Sequence, residues 1–135
     1  MRKYVFIILL IFAAILSACG GDEAYSGNAP SFTVINHEEA AEMMLLDNVL
    51  LLDVRTQQEF ESGHIPGFIN LPVNRILLDI SHIAEDFEQH IIVICQTGRR
   101  SREAATALVN LGYWQVFDMG DIVSWDGEVV TEDVP

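Results

Sequence analysis

The chain has 135 residues, half of them apolar, with seven basic against twenty acidic side chains and a formal charge of −13. That length holds one domain with an ordinary core and excludes two. A chain this acidic is repelled by polyphosphate and by anionic headgroups, which excludes nucleic acid as a partner.

The first eighteen residues, MRKYVFIILLIFAAILSA, place Arg2 and Lys3 before an apolar run from Tyr4 to Leu16 and end in small residues. This is the layout of a secretory signal. The run of about 13 apolar residues falls short of the roughly 20 that a spanning helix needs. Leu16-Ser17-Ala18-Cys19 resembles the bacterial lipobox, whose cysteine is lipidated and becomes the new N-terminus after cleavage. The resemblance implies a signal peptide over 1–18, a lipid on Cys19 and an extracytoplasmic, membrane-anchored protein. Residues 19–31 are small, polar and Gly-rich, and are expected to tether the lipid to a domain over 32–135. Without residues 1–18, five arginines face all twenty acids, a formal −15. With Cys19 lipidated, Cys95 has no intramolecular partner, so no disulfide is expected.

Phe32–Ile35 reads as a short strand. Asn36 with Glu39 is a helix N-cap and its capping-box partner, opening a helix through about Leu46, in which Met43 and Met44 read as core or its margin. Val49–Val54 has the continuous apolar character of a strand covered on both faces. Thr56–Glu61 is a short helix stopped by Gly63, and Pro66-Gly67 a turn before a strand over Phe68–Leu71. Arg75–Phe87 carries helical stretches interrupted around Ser81. Ile91–Ile94 is a second buried strand, and Arg100–Leu111 a helix ended by Gly112. Gln115–Phe117 is the last strand, before an irregular tail with Trp125. Strands alternating with helices predict an α/β fold: a mostly parallel five-stranded sheet with helices on both faces. Active crevices in such sheets lie beyond the carboxyl ends of the strands, where Cys95 and Asp53 stand.

Residues 92–102, IVICQTGRRSR, concentrate the chemistry. A thiolate is the reactive form of cysteine. A thiol between a strand end and a helix N-terminus faces backbone N–H groups without intrahelical acceptors and the positive end of the helix dipole. Gly98 permits the curl that turns successive N–H groups inward, and Arg99 and Arg100 add charge at the rim. A buried structural cysteine would have apolar neighbours on both sides, whereas Gln96, Thr97, Gly98, Arg99 and Arg100 follow here. Cysteine-dependent phosphatases wrap phosphate in a Cys-x5-Arg loop. The spacing from Cys95 to Arg100 is one residue shorter, and a smaller ring suits a single sulfur held as a persulfide.

Cys95, Gly98, Arg100 and Ser101 fill the signature Cys-x-x-Gly-x-Arg-Ser, which resembles the rhodanese sulfurtransferases. An upstream block agrees in order and spacing: Asp53-Val54-Arg55, Glu59-Phe60, Gly63-His64-Ile65-Pro66-Gly67 and Asn70-Leu71-Pro72. Leu111-Gly112-Tyr113 and Trp125 match the C-terminal part, so the resemblance runs from about Phe32 to Val130. It implies a three-layer rhodanese-like fold and transfer of sulfane sulfur from a small anionic donor such as thiosulfate, through a Cys95 persulfide, to a thiol or cyanide. Cys95 and Arg100 would be catalytic, with Gln96, Thr97, Gly98, Arg99 and Ser101 binding substrate. No cofactor is implied, and a monomer is expected. The alternatives are a non-catalytic module that keeps the fold for docking, and a phosphatase or arsenate reductase.

Two departures from the family pattern stand out. Phe68 replaces a usual Ala, and Asp121 replaces the second Gly of a Gly-Gly pair, which would put a carboxylate near the mouth of the site. Asp53 and Arg55 read as a structural ion pair, and His64 as organising its turn. His37, His82 and His90 read as helix-start or surface residues, and no metal site is expected.

Overall fold

The computed structural model describes residues 31–131. Five strands form one sheet in the order β1-β5-β4-β2-β3. They are β1 (Thr33–Val34), β2 (Val49–Asp53), β3 (Ile69–Asn70), β4 (His90–Cys95) and β5 (Val116–Asp121). Every pairing between them is parallel. The helices are α1 (His37–Met43), α2 (Gln57–Glu61), α3 (Ile76–Asp79) and α4 (Arg99–Asn110), with 3-10 turns at Val73–Arg75 and Ile80–His82 flanking α3.

The apolar runs explain the layering. Ile91 to Cys95 have no exposed surface, because β4 is central and its side chains alternate between two cores. Leu52, Val54, Ile91, Val93 and Cys95 pack with Ala104, Ala105 and Leu108 of α4. Ile92 and Ile94 point the other way, to Ala40 of α1 and Phe60 of α2. Phe68 lies in that second core, 4% exposed, so its bulk is spent on packing.

Several expected boundaries move. The first helix ends at Met43, not Leu46, and the chain turns through Asn48 at φ 62°. The outer strands β1 and β3 keep only two residues each, and the helical stretch after Arg75 ends at His82. The last strand extends to Asp121 because a bulge carries it past a break in register: Val93 pairs with Asp118, but Ile94 pairs with Gly120. Asp118, almost fully buried, accepts the Gly120 N–H at 2.9 Å inside that bulge.

Candidate active site

The loop 95–98 joins the end of β4 to the start of α4. Gly98 stands at φ +83°, a left-handed conformation that only a residue without Cβ adopts readily. That turn brings the Gly98 N–H onto Cys95 Sγ, at 3.1 Å. Gly98 is also the N-cap of α4 and has no side chain to cap it, so the positive end of a 12-residue helix faces the sulfur. By contrast, α1 and α2 both begin in closed capping boxes. Cys95 itself has no exposed surface.

Ser101 and the β5 bulge hold the loop from below. Ser101 is fully buried, and its Oγ lies 3.1 Å from Gly98 O and 3.2 Å from Gly120 O. Expected among the substrate contacts, Ser101 instead fastens the loop to the sheet. The bulge turns Gly120 O toward it, and a side chain on Gly98 would lie 3.8 Å from the Gly120 backbone. The Ile122 N–H donates to Cys95 O at 2.9 Å, closing the same edge.

A second wall comes from the segment after β2. Asp53 and Arg55 are both buried, and Arg55 Nη2 donates to Asp53 Oδ2 at 2.6 Å. The same guanidinium reaches Gly63 O at 2.7 Å and Gln96 Oε1 at 3.3 Å, so this structural pair also grips the loop. Asn70 Nδ2 donates to the carbonyls of Asp53 and Arg55 at 3.0 and 2.9 Å, which fixes the strand end. His64 sits in the turn after α2. Its Nδ1 lies 3.0 Å from Phe60 O, which requires the proton there, and its ring stacks on Phe60. Its backbone pairs with Val130.

Arg100 is not a free charge at the rim. Its Nη1 and Nη2 donate to Glu59 Oε2 and Oε1, each at 2.7 Å. The hydrogen bonds from Arg100 hold the Glu59 carboxyl at about 2, well below its ordinary range, although partial burial opposes this. Reciprocally, Glu59 pushes Arg100 above its already high range, with smaller contributions from Cys95 and Asp53. Arg99 and Thr97 are exposed, and Arg99 reaches only Glu103, at 3.5 Å.

The structure thus gathers Cys95, Gln96, Gly98, Arg100, Ser101, Asp53 and Arg55, and leaves Thr97 and Arg99 at the outer rim. Cys19 lies outside the described residues. Asp121 accepts the Ser124 N–H at 2.8 Å, which lowers its pKa, and its carbonyl lies 2.8 Å from His37 Nε2. Among the described residues its carboxylate makes no hydrogen bond to the loop.

Glu59 was the residue without a role in the sequence. Thr56-x-x-Glu59 is a capping-box pattern, and Glu59 Oε2 accepts both the Thr56 N–H and the Thr56 hydroxyl. Its second duty, toward Arg100, spans 41 residues and leaves no local signal.

Comparison with known proteins agrees with this geometry. Residues 36–128 match the family model of the rhodanese-like domain. A sulfurtransferase of Allochromatium vinosum is 35% identical over 80 residues, covering 58% of this chain and 73% of that protein. The thiosulfate sulfurtransferase GlpE of Haemophilus influenzae is 39% identical over 97 residues, 72% of this chain and 88% of that one. Among solved structures, a rhodanese-related protein from Thermoplasma volcanium superposes with a TM-score of 0.64 at 31% identity, over 74% of this chain and 99% of that one.

Proposed function

The chain belongs to the rhodanese-like domain family, and from that premise we propose that it moves sulfane sulfur through a persulfide on Cys95. The similarity to sulfurtransferases supports a transferase-type function. The choice of thiosulfate as donor is the proposal's own.

In the first half-reaction the Cys95 thiolate attacks the outer sulfur of thiosulfate. The new S–S bond forms as the old one breaks, and its electron pair leaves with sulfite. Charge balances: thiolate and dianion become persulfide anion and dianion. In the second, an acceptor thiolate or cyanide attacks the outer sulfur and returns Cys95 as thiolate. Neither step needs a cofactor or an external oxidant.

The observation that carries this reading is the Gly98 N–H on Cys95 Sγ at the mouth of an uncapped helix. Donors converging on one sulfur stabilise negative charge there, whether on the thiolate or on the persulfide. In the persulfide, the backbone N–H groups from Gln96 to Arg100 would hold the outer sulfur. Because Cys95 is fully covered, the donor's outer sulfur reaches it only as the loop gives way. Around that site, the protein acts as a monomer carried outside the cell membrane on a lipid at Cys19.

Intact mass after incubation with thiosulfate tests the chemistry. The wild type should gain one sulfur and Cys95→Ser none, with folding nearly unchanged. An unchanged wild-type mass, or transfer that survives in Cys95→Ser, would refute the assignment. A docking module gains no mass, and a phosphatase turns over aryl phosphate instead.

A further inference from the structure

All strand pairs are parallel, so the domain has two unlike ends. Cys95 and Asp53 close their strands at one end. At the other lie the turns that lead into β2, β4 and β5, residues 44–48, 85–89 and 111–115. These turns are joined to one another. Gln89 Nε2 donates to Asn48 Oδ1 at 3.2 Å, and the Trp114 N–H donates to Phe87 O at 3.1 Å.

Among its acidic residues this end exposes several large apolar side chains. Leu45 is 86% exposed and Trp114 72%, and Leu46, Phe87 and Leu111 are exposed beside them. Exposed large apolar side chains gathered in one region mark a surface that something covers. The chain also enters the domain here, since Ser31 and Trp114 line the same cavity.

We propose that this end of the domain rests on a lipid bilayer, with the catalytic loop turned away from it. The proposal rests on the lipid anchor at Cys19 described above. Eleven residues lie between Cys19 and Ser31, twelve steps of chain that span at most about 40 Å. A domain of this size is about 35 Å across by the scaling of compact chains. Presenting the catalytic end to the bilayer would draw the tether along nearly the full length of the domain. Presenting the apolar end draws it along none. Trp is suited to such a place, with an apolar ring and a polar N–H that belong at the headgroup level.

Charge selects among lipids. The three turns carry Asp47, Glu85, Asp86 and Glu88 and no Lys or Arg, so a zwitterionic surface is favoured over an anionic one. The same acidity opposes pairing with a second copy of this end.

The second tryptophan provides an internal control, because Trp125 follows β5 at the catalytic end, edge-on to His37. The mature protein, its lipidation established by intact mass, would be reconstituted in phosphatidylcholine vesicles containing brominated acyl chains. In Trp125→Phe, where Trp114 is the sole emitter, emission should be quenched several-fold more than in Trp114→Phe, where only Trp125 emits. Replacing half the lipid with phosphatidylglycerol at low salt should weaken that quenching. If a lipidated protein shows Trp114 open to aqueous acrylamide and untouched by bromine, the bilayer contact is overturned while the anchor stands. A mature protein without lipid overturns both. Sulfur transfer, measured separately, bears on neither.

Discussion

Glu59 and Arg100 face each other fork to fork, with Arg100 Nη1 donating to Glu59 Oε2 and Nη2 to Oε1, each at 2.7 Å. The same Glu59 oxygen that takes Arg100 Nη1 also closes the capping box of α2. The start of one helix is thereby pinned to the start of another, across the mouth of the Cys95 loop. Arg100 is consequently a positioned, paired charge.

Removing Arg100 therefore does two things: it deletes a cation and leaves the Glu59 carboxylate without its partner. Arg100→Ala should lower kcat/KM for thiosulfate by about 1–3 kcal/mol of transition-state stabilisation, as loss of a charged hydrogen bond does. The double variant Glu59→Gln with Arg100→Ala should recover part of that loss, since no bare charge remains. Steady-state kinetics of the four proteins gives the coupling. Additive losses would show that Glu59 does not act through Arg100.

Stability should depend on pH through the same pair. The folded pKa of Glu59 lies below its ordinary 4.5, at about 2. A depressed carboxyl stabilises the fold above its unfolded pKa and loses that contribution as pH falls through the folded one. At pH 7, Glu59→Gln should be less stable by about 1–2 kcal/mol, a figure reduced for solvent screening of a partly exposed pair. Near pH 2 the gap should close. Urea midpoints at both pH values decide it, and a gap independent of pH would contradict the linkage.

Gly98 should be sensitive to conformation, not to space. A Cβ there meets only ordinary contacts, at 3.8 Å, but φ is +83°. Gly98→Ala should destabilise by about 1–2 kcal/mol, the penalty of a left-handed residue with a side chain, and reduce transfer. Gly98→Asn should retain more of both, since Asn tolerates that region. Thermal unfolding together with thiosulfate turnover measures each. Equal behaviour of Ala and Asn would mean that backbone geometry is not what the glycine supplies.

Ionic strength should raise the rate with thiosulfate. The chain carries −13, and the two arginines that wall the loop, Arg55 and Arg100, are each paired with a carboxylate. A dianion is repelled at long range, and salt screens that repulsion over a Debye length of about 10 Å at 0.1 M. The quantity to follow is kcat/KM against salt, with the anion varied to exclude competition. A steady decline would mean that exposed Arg99 and Arg102 dominate encounter.

The fold was legible wherever one local rule spoke without competition. The uninterrupted Ile91–Ile94 run declared a strand covered on both faces, and Asn36 with Glu39 declared a helix start that forms the same box. The loop was legible for a similar reason, because Cys95, Gly98 and Arg100 lie within six residues and their spacing alone limits the ring. Boundaries at the outer strands and at the β5 bulge were not, since they depend on what a neighbouring strand offers in register. Nor could sequence tell that Ser101 faces Gly120, that Arg55 reaches Gln96, or that Arg100 is neutralised by Glu59. Those partners lie 19 to 41 residues apart, and side chains so distant meet only after the sheet has ordered its strands. Local spacing determined which family the loop belongs to. Tertiary packing decided which of its charges remain free.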